Sequence, residues 1–402
     1  MICLVPNIGS TSFKYRLLDT THEAIALAQG RVERIGQPGG ECGDYPAAIR
    51  KCISDIAGPG KPLSSLSQVG AVGFKVVHAG TRNASQIIDD DFIAEMEEFS
   101  FLAPAHNPPY IAAIKAFREQ LPHVPLVAVI ETAPYRLMSK AATTYAVPYE
   151  WREECGIRRY GFHGASHRSA SVRTQELVKH SGLRHISCHL GGSSSVAAFR
   201  NGIAEDTSFG TSPQSGLPQN NRVGDIDAFA VLYMMKKLGL SPDQMASLLA
   251  SRSGLAGISG ASGDVRDISE AAARGDDRSR LALDVFVYAI RHYLGAFMVV
   301  LGGLDVITFS GGIGENSAEI RSAVLANLSA FGIEINERRN RLLHCEGTIS
   351  TDSSPVRVMV IPANEEMIVA RETVDLVSQM QAAGTEAAQS AIVAETAKAA
   401  YE

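Results

Sequence analysis

The chain is 402 residues long, 45% hydrophobic and 20% charged, with a formal net charge of −6. That length supports two domains with full cores, the composition is that of a soluble globular protein, and an acidic balance without a long basic run argues against nucleic acid as a partner. No apolar run reaches the ~20 residues of a membrane span, and the six cysteines have no CxxC spacing, so free thiols in a reducing cytoplasm, away from membranes, are expected.

Four strands open the chain, predicted at residues 2–5, 13–18, 24–29 and 30–35, and Gly36-Gln37-Pro38-Gly39-Gly40 ends the run. The start Met1-Ile2-Cys3-Leu4-Val5 has neither a basic leader nor a cleavage site and reads as a strand. Ala47, Ile49, Cys52 and Ile56 recur at helical spacing and predict a helix over 45–56. A strand follows at 69–78, with Lys75 and His78 near its end. Polar groups leaving an apolar strand mark either a ligand crevice or a solvated end. Ala103-Pro104-Ala105-His106-Asn107-Pro108-Pro109 is a rigid turn into a helix over 110–120, with prolines suited to a first turn; His106 is read as a structural cap. The strand 125–130 runs directly into Glu131, a more pointed signal than an isolated glutamate.

His163 and His167 stand four apart, but Gly161 and Gly164 argue against a helix through His163 and no Glu separates the histidines, so a zinc pair is disfavoured. His167 is read as opening a helix to 179. Beyond the strands around 186–200 comes a long polar stretch, 206–225, whose only basic residue is Arg222. Loops of that length inside a compact chain are usually functional, and Arg222 is the natural partner for an anion. Helices are predicted at about 226–238, 242–252 and 279–301, with a Gly/Ser-rich loop over 253–263 leading to Asp264-Val265-Arg266-Asp267. The strand 304–309 enters Ser310-Gly311-Gly312-Ile313-Gly314-Glu315-Asn316-Ser317 and then a helix, a geometry that aims helix amides at a nucleotide. It is not the Rossmann fingerprint, and no GxxxxGK[ST] occurs. A last strand, 356–361, leads through Pro362-Ala363-Asn364 to Glu365-Glu366 and a helix to about 380; the Ala-rich tail is read as helix or frayed coil without a catalytic part.

One pattern occurs twice. Residues 2–5 break at Asn7-Ile8-Gly9-Ser10-Thr11-Ser12 and restart as a strand; Ile186-Ser187-Cys188-His189 breaks at Leu190-Gly191-Gly192-Ser193-Ser194 and restarts at Ser195. Each is a hairpin whose tip carries amides and hydroxyls able to cradle phosphate oxygens. Two such hairpins suggest two like-built domains facing one phosphate chain.

In this order the motifs resemble the acetate kinase family, which includes propionate and butyrate kinases. The resemblance covers residues 2–376 and is most specific at 7–14, 156–167, 189–195, 224–227, 311–317 and 362–366. It implies an α/β protein of two duplicated actin-like, ribonuclease H-like ATPase domains with the nucleotide in the interdomain cleft. The expected division is 1–132 plus 367–402 and 133–366. The implied reaction moves a phosphoryl group between ATP and a short-chain carboxylate, giving acyl phosphate and ADP, with Mg²⁺, in a homodimer. Propionate or butyrate in place of acetate is the alternative acceptor, and a non-catalytic nucleotide-binding regulator of the same fold is the alternative of another class.

The resemblance assigns Asn7 and Glu365 to the magnesium site and Lys14 to ATP. It assigns His189, Leu190, Gly191, Gly192 and Ser193 to the phosphate loop, Asp264, Val265 and Arg266 to the adenosine loop, and Gly312, Ile313, Gly314, Glu315 and Asn316 to a further nucleotide loop. His163 and Arg222 match transition-state stabilisers; Val77, Phe162 and Pro213 match the acyl pocket. Such residue types suit phosphoryl transfer, which is mostly positioning and charge stabilisation. The chain departs from the family at Glu131 (a catalytic Asp), Lys75 (a substrate-binding Arg), Phe74 (a His) and Ala105 (a Leu of the pocket). It departs again at Gly192-Ser193 (Asn-Gly) and in the run Gln219 to Val223 before Gly224.

Overall fold

The computed structural model describes residues 1–9, 12–21 and 25–383. Ser10 and Thr11 of the first turn, Ala24 of a predicted strand and most of the Ala-rich tail lie outside them. The described residues divide into two compact units: unit 1 comprises those within Met1–Arg136 and those from Asn364 on, unit 2 comprises Leu137–Ala363.

Unit 1 holds β1 (Ile2–Ile8), β2 (Ser12–Asp19), β3 (Ile25–Glu33), β4 (Val69–Val76), β5 (Gln86–Ile87) and β6 (Leu126–Ile130). Unit 2 holds β7 (Arg184–His189), β8 (Ser195–Arg200), β9 (Ile203–Thr207), β10 (Val306–Ser310), β11 (Gly347–Thr348) and β12 (Arg357–Val360). The sheet orders are β3-β2-β1-β4-β6-β5 and, read from the matching edge, β9-β8-β7-β10-β12-β11. In each, three antiparallel strands continue into two parallel ones and end on a short antiparallel edge strand. The two hairpins read from the sequence, β1–β2 and β7–β8, therefore hold equivalent places in two sheets of one topology.

Sandwiched parallel strands are apolar on both faces, and β6 shows why. Leu126, Ala128 and Ile130 enter one core with the helices Tyr45–Ile56 and Asn107–Gln120. Val127 and Val129 face a second core closed by Val369, Ala370 and Val377 of the helix Glu365–Ala383. That last helix packs on the sheet begun at Ile2. Phe74 is spent on the first core, edge-on to Phe117 at 5.5 Å. In unit 2, Ile307 and Phe309 of β10 meet Phe286, Ile290 and Leu294 of the helix Asp277–Val300.

Several boundaries differ from expectation. The strands 24–29 and 30–35 are one, β3, because Gly30 is no turn residue: it lies opposite Tyr15, and a Cβ there would stand 2.5 Å from the Tyr15 ring. The helix expected to open at His167 begins at Gly164, with His163 as its N-cap. The loop 253–263 contains a short helix, Gly254–Ser259, and the turn after β10 is itself helical, Gly311–Asn316. His106 occupies the N-cap of Asn107–Gln120 without capping it through its side chain. Finally, Asp277–Val300 is, by length and composition, apolar enough to cross a membrane, although Asp284 and Arg291 interrupt its apolar stretch and hid this from a search for unbroken runs. It carries a buried stripe at helical spacing, Ala282, Phe286, Ile290, Leu294 and Phe297.

Candidate active site

Unit 1 gathers charge where β4 and β6 end side by side. Lys75 pairs with Val129 in the parallel ladder, and the Glu131 amide donates to the Val76 carbonyl at 2.9 Å, which fixes where the Glu131 side chain starts. Glu131 is buried, and its carboxylate lies 3.8 Å from Lys75 Nζ. Lys75 also ion-pairs with Glu365, the first residue of the helix Glu365–Ala383. Burial alone would lower the Lys75 pKa, but Glu365 and Glu131 outweigh it and raise it, so the ammonium stays charged between two carboxylates. Tyr110 faces the same charges, and its phenol oxygen accepts from the Ile8 amide at 3.3 Å. Asn7 and Lys14 oppose each other across the β1–β2 hairpin. Val77 follows β4 half-buried, and Ala105 is exposed in the turn before Asn107–Gln120.

Unit 2 gathers the other expected residues. His163 is held at φ +56°, a left-handed conformation that a non-glycine residue adopts only when its surroundings compel it. Its Nδ1 lies 2.8 Å from Ser195 Oγ, and its ring stands 4.4 Å, centroid to centroid, from that of His189. Phe162 and His163 both meet Phe209 edge-on, at 5.5 and 5.1 Å. Arg222 donates to Ser193 Oγ and to Gln219 Oε1, each at 3.2 Å. Burial pushes its pKa down, yet a guanidinium remains charged. The buried amide of Gln219 also accepts from Ser193 Oγ at 2.6 Å and donates to the Pro213 carbonyl at 2.8 Å.

Three loops line one cavity of unit 2, about 570 Å³ in volume. Gly191 and Gly192 come from the β7–β8 turn, Asp264, Val265 and Arg266 from one helix start, and Gly312, Ile313 and Asn316 from the other. The first and last loops are stitched together: the Ile313 and Gly314 amides donate to the Leu190 carbonyl at 2.8 and 3.0 Å. That approach needs Gly311, at φ +78°, where a Cβ would stand 2.7 Å from the Leu190 oxygen. Glu315 is turned inward, its carboxylate accepting from the Gly311 and Ala363 amides. Side-chain hydrogen bonds from Arg266 hold the Asp264 carboxyl down to about 2. Asn220 and Ser269 also line the cavity and were missed in the sequence. Ser269 stands one helical turn after Val265, a spacing that could have disclosed it.

The Acetokinase family model matches residues 2–371. The acetate kinase of Desulforamulus reducens is 43% identical over 94% of this chain and 100% of its own length. Among solved structures, the acetate kinase of Porphyromonas gingivalis superposes with a TM-score of 0.85 at 35% identity, covering 94% of this chain and 99% of that one. The propionate kinase of Francisella tularensis gives 0.86 at 32%, covering 94% and 100%. The chain belongs to the acetokinase family. Its fold is accordingly that of these two-domain kinases, and it is a phosphotransferase with a carboxyl group as acceptor.

In this acetokinase four of the departures noted in the sequence meet in two touching pairs: Lys75 with Glu131, and Ser193 with Gln219. Of these four, Gln219 was the least legible beforehand, because nothing in its own neighbourhood announces an amide that grips both Arg222 and Ser193. Among the described residues no group of three or more His, Cys, Asp or Glu could hold a metal ion. The Asn7 amide and the Glu365 and Glu131 carboxylates are nonetheless oxygen donors of the kind Mg²⁺ takes when substrate phosphates complete its shell.

Proposed function

We propose that the chain is an acetate kinase, transferring the γ-phosphoryl group of ATP to acetate to give acetyl phosphate and ADP, reversibly and with Mg²⁺. The observation that carries this reading is the single cavity formed by the three predicted nucleotide loops, with Arg222 and His163 bonded into the adjoining β7–β8 hairpin. A carboxylate oxygen bonds to the γ-phosphorus as the bond to the bridging oxygen of ADP breaks. Arg222 and His163 meet the charge that spreads over the equatorial oxygens. Lys75 receives the acceptor carboxylate, and Glu131 orders the ammonium and the groups around it. The acyl end is assigned to Val77 and Ala105 in unit 1 and to Phe162 and Pro213 in unit 2. Lys14 and the β7–β8 turn hold phosphates. Asn7 and Glu365 would hold Mg²⁺, which would supply positive charge against the phosphates.

In this reading the protein works in the cytoplasm, as its six free cysteines suit. It works as a homodimer. No residue of the helix Ala228–Leu238 is buried, and Phe229 and Val299, 80% and 81% exposed, stand out from two apolar helices of unit 2. A second copy covering that surface satisfies the rule that monomers rarely leave large apolar patches bare. Light scattering reporting a monomer at micromolar concentration would remove this part.

The main test is hydroxamate trapping of acyl phosphate with ATP, Mg²⁺ and a panel of carboxylates. Acetyl hydroxamate is the expected product. ATP binding with no acyl phosphate from any acid would favour the other class, a nucleotide-binding regulator.

A further inference from the structure

The buried polar face of β7 goes beyond the assigned roles. Along Arg184–His189, Ile186 and Cys188 enter the apolar core while His185, Ser187 and His189 alternate to the opposite face. A sheet face covered by a helix is ordinarily apolar. Here the helix Gly164–Val178 covers it with His167, which is fully buried.

Three contacts of equal length join these groups in a line. Ser187 Oγ lies 2.8 Å from His167 Nδ1, His167 Nε2 lies 2.8 Å from Ser195 Oγ, and Ser195 Oγ lies 2.8 Å from His163 Nδ1. Ser187, His167 and Ser195 are each buried. Burial first, and then the neighbouring His189 and His185, press the His167 pKa well below the ordinary histidine range, so it has one N–H and one lone pair.

Counting hydrogens leaves two directions. If His163 Nδ1 donates to Ser195, either Ser195 also accepts from His167 Nε2 and its own hydrogen is stranded, or Ser195 donates to His167 Nε2 and His167 Nδ1 donates to Ser187. The Ser187 hydroxyl hydrogen then has no acceptor, since among the described residues its one hydrogen bond is to His167. In the opposite direction Ser187 donates to His167, His167 to Ser195 and Ser195 to His163 Nδ1. Every interior hydrogen then has an acceptor, and only a Ser187 lone pair goes unused. A buried donor without an acceptor keeps its full desolvation cost, and buried orphan donors are rarer than under-used acceptors.

We propose that Ser187, His167 and Ser195 form a one-way hydrogen-bond chain that makes Nδ1 of His163 an acceptor and Nε2 its donating nitrogen, the one with which it would meet the transferring phosphoryl group. The proposal rests on the reading of His163 as a transition-state stabiliser. Ser187, His167 and Ser195 are positioning residues: they act through His163 and set which of its nitrogens carries the hydrogen.

The test is long-range ¹H–¹⁵N NMR on the full-length protein labelled with ¹⁵N-histidine at pH 8, with His163 assigned from His163→Gln. Wild type should show a pyrrole-type Nε2 and a pyridine-type Nδ1 at His163. Ser195→Ala and the remote Ser187→Ala should both move these signals toward a tautomer average. Ser195→Thr, which keeps the hydroxyl, should restore them. Ser195→Ala should also lower kcat about tenfold, the scale of one lost hydrogen bond, with KM for ATP and acetate changed less than about twofold. A pyrrole-type Nδ1 at His163 in wild type, or a tautomer indifferent to both alanine variants, overturns the chain. Near-wild-type turnover in His163→Gln instead overturns the role given to His163, whatever the tautomer.

Discussion

Lys75 Nζ lies 3.8 Å from the Glu131 carboxylate, and the resemblance read from the sequence gives the first an Arg counterpart and the second an Asp. We propose that the two changes, a lost guanidinium fork and an added methylene, offset each other along this contact. Glu131→Gln should therefore lower kcat by at least about 10²-fold, the scale for a group acting on the reacting charges. Lys75→Arg alone and Glu131→Asp alone should each reduce kcat/KM, and the double variant should recover part of the loss. A non-additive cycle is the signature of contact. Additive losses in the steady-state rates would mean that the pair is not coupled.

Arg222→Ala should collapse kcat by on the order of 10²–10³ while changing KM values less, because its charge meets charge that develops in the transition state. Gln219→Ala should give a milder form of the same defect, since it removes an acceptor that orients Arg222. Initial-rate kinetics for both variants check this, and a Gln219 variant altered only in KM would separate the two residues.

The resemblance read from the sequence places Ala105 where the family has Leu, and Phe74 lies in the core against Phe117. An acyl pocket that is larger by roughly one or two methylenes follows, each worth about 0.8 kcal/mol when buried. Propionate or butyrate should then rival acetate in kcat/KM, and Ala105→Leu should shift preference toward acetate by about tenfold. Side-by-side kinetics on the three acids would refute the enlarged pocket if wild type already prefers acetate tenfold and Ala105→Leu leaves that ratio unchanged.

Arg321 is buried and donates to the Gly314 and Glu315 carbonyls and to Asn340. It ties down the helix Gly311–Asn316 that lines the cavity. Arg321→Met strands these acceptors and should lower stability by roughly 3 kcal/mol and raise KM for ATP more than KM for acetate. Urea denaturation and ATP titration together test this; an unchanged ATP KM would show that the loop holds itself.

His185 is buried against Thr308 and Phe199, and desolvation lowers its pKa to about 3; His167 is likewise depressed. An unfolded histidine protonates near 6.5, so below that pH the unfolded chain binds more protons than the folded one. Stability is therefore full above about 6.5 and falls as pH drops toward the folded values, by about 1.4 kcal/mol per pH unit for each histidine. The urea midpoint should decline from pH 7 to pH 5, and His185→Leu should flatten the decline. An equally steep decline in that variant would exclude His185 as a source.

What the sequence alone determined about this protein is local or periodic. Two hairpins with Gly/Ser tips, the unbroken apolar run before Glu131 and the glycine turn after β10 were legible because backbone conformation and burial period depend on near neighbours. The motif order carried the family. What only the tertiary structure decided is which distant side chains meet. Lys75 finds Glu365, 290 positions away, because the helix Glu365–Ala383 returns to the sheet that contains β4. Gln219 finds Arg222 and Ser193 because a loop folds over the β7–β8 turn. Whether His-Ile-Ser-Cys-His was a strand with one polar face turned inward depended on the helix that covers it. Contacts of this kind follow from sheet order and helix docking, which no window of the chain encodes by itself.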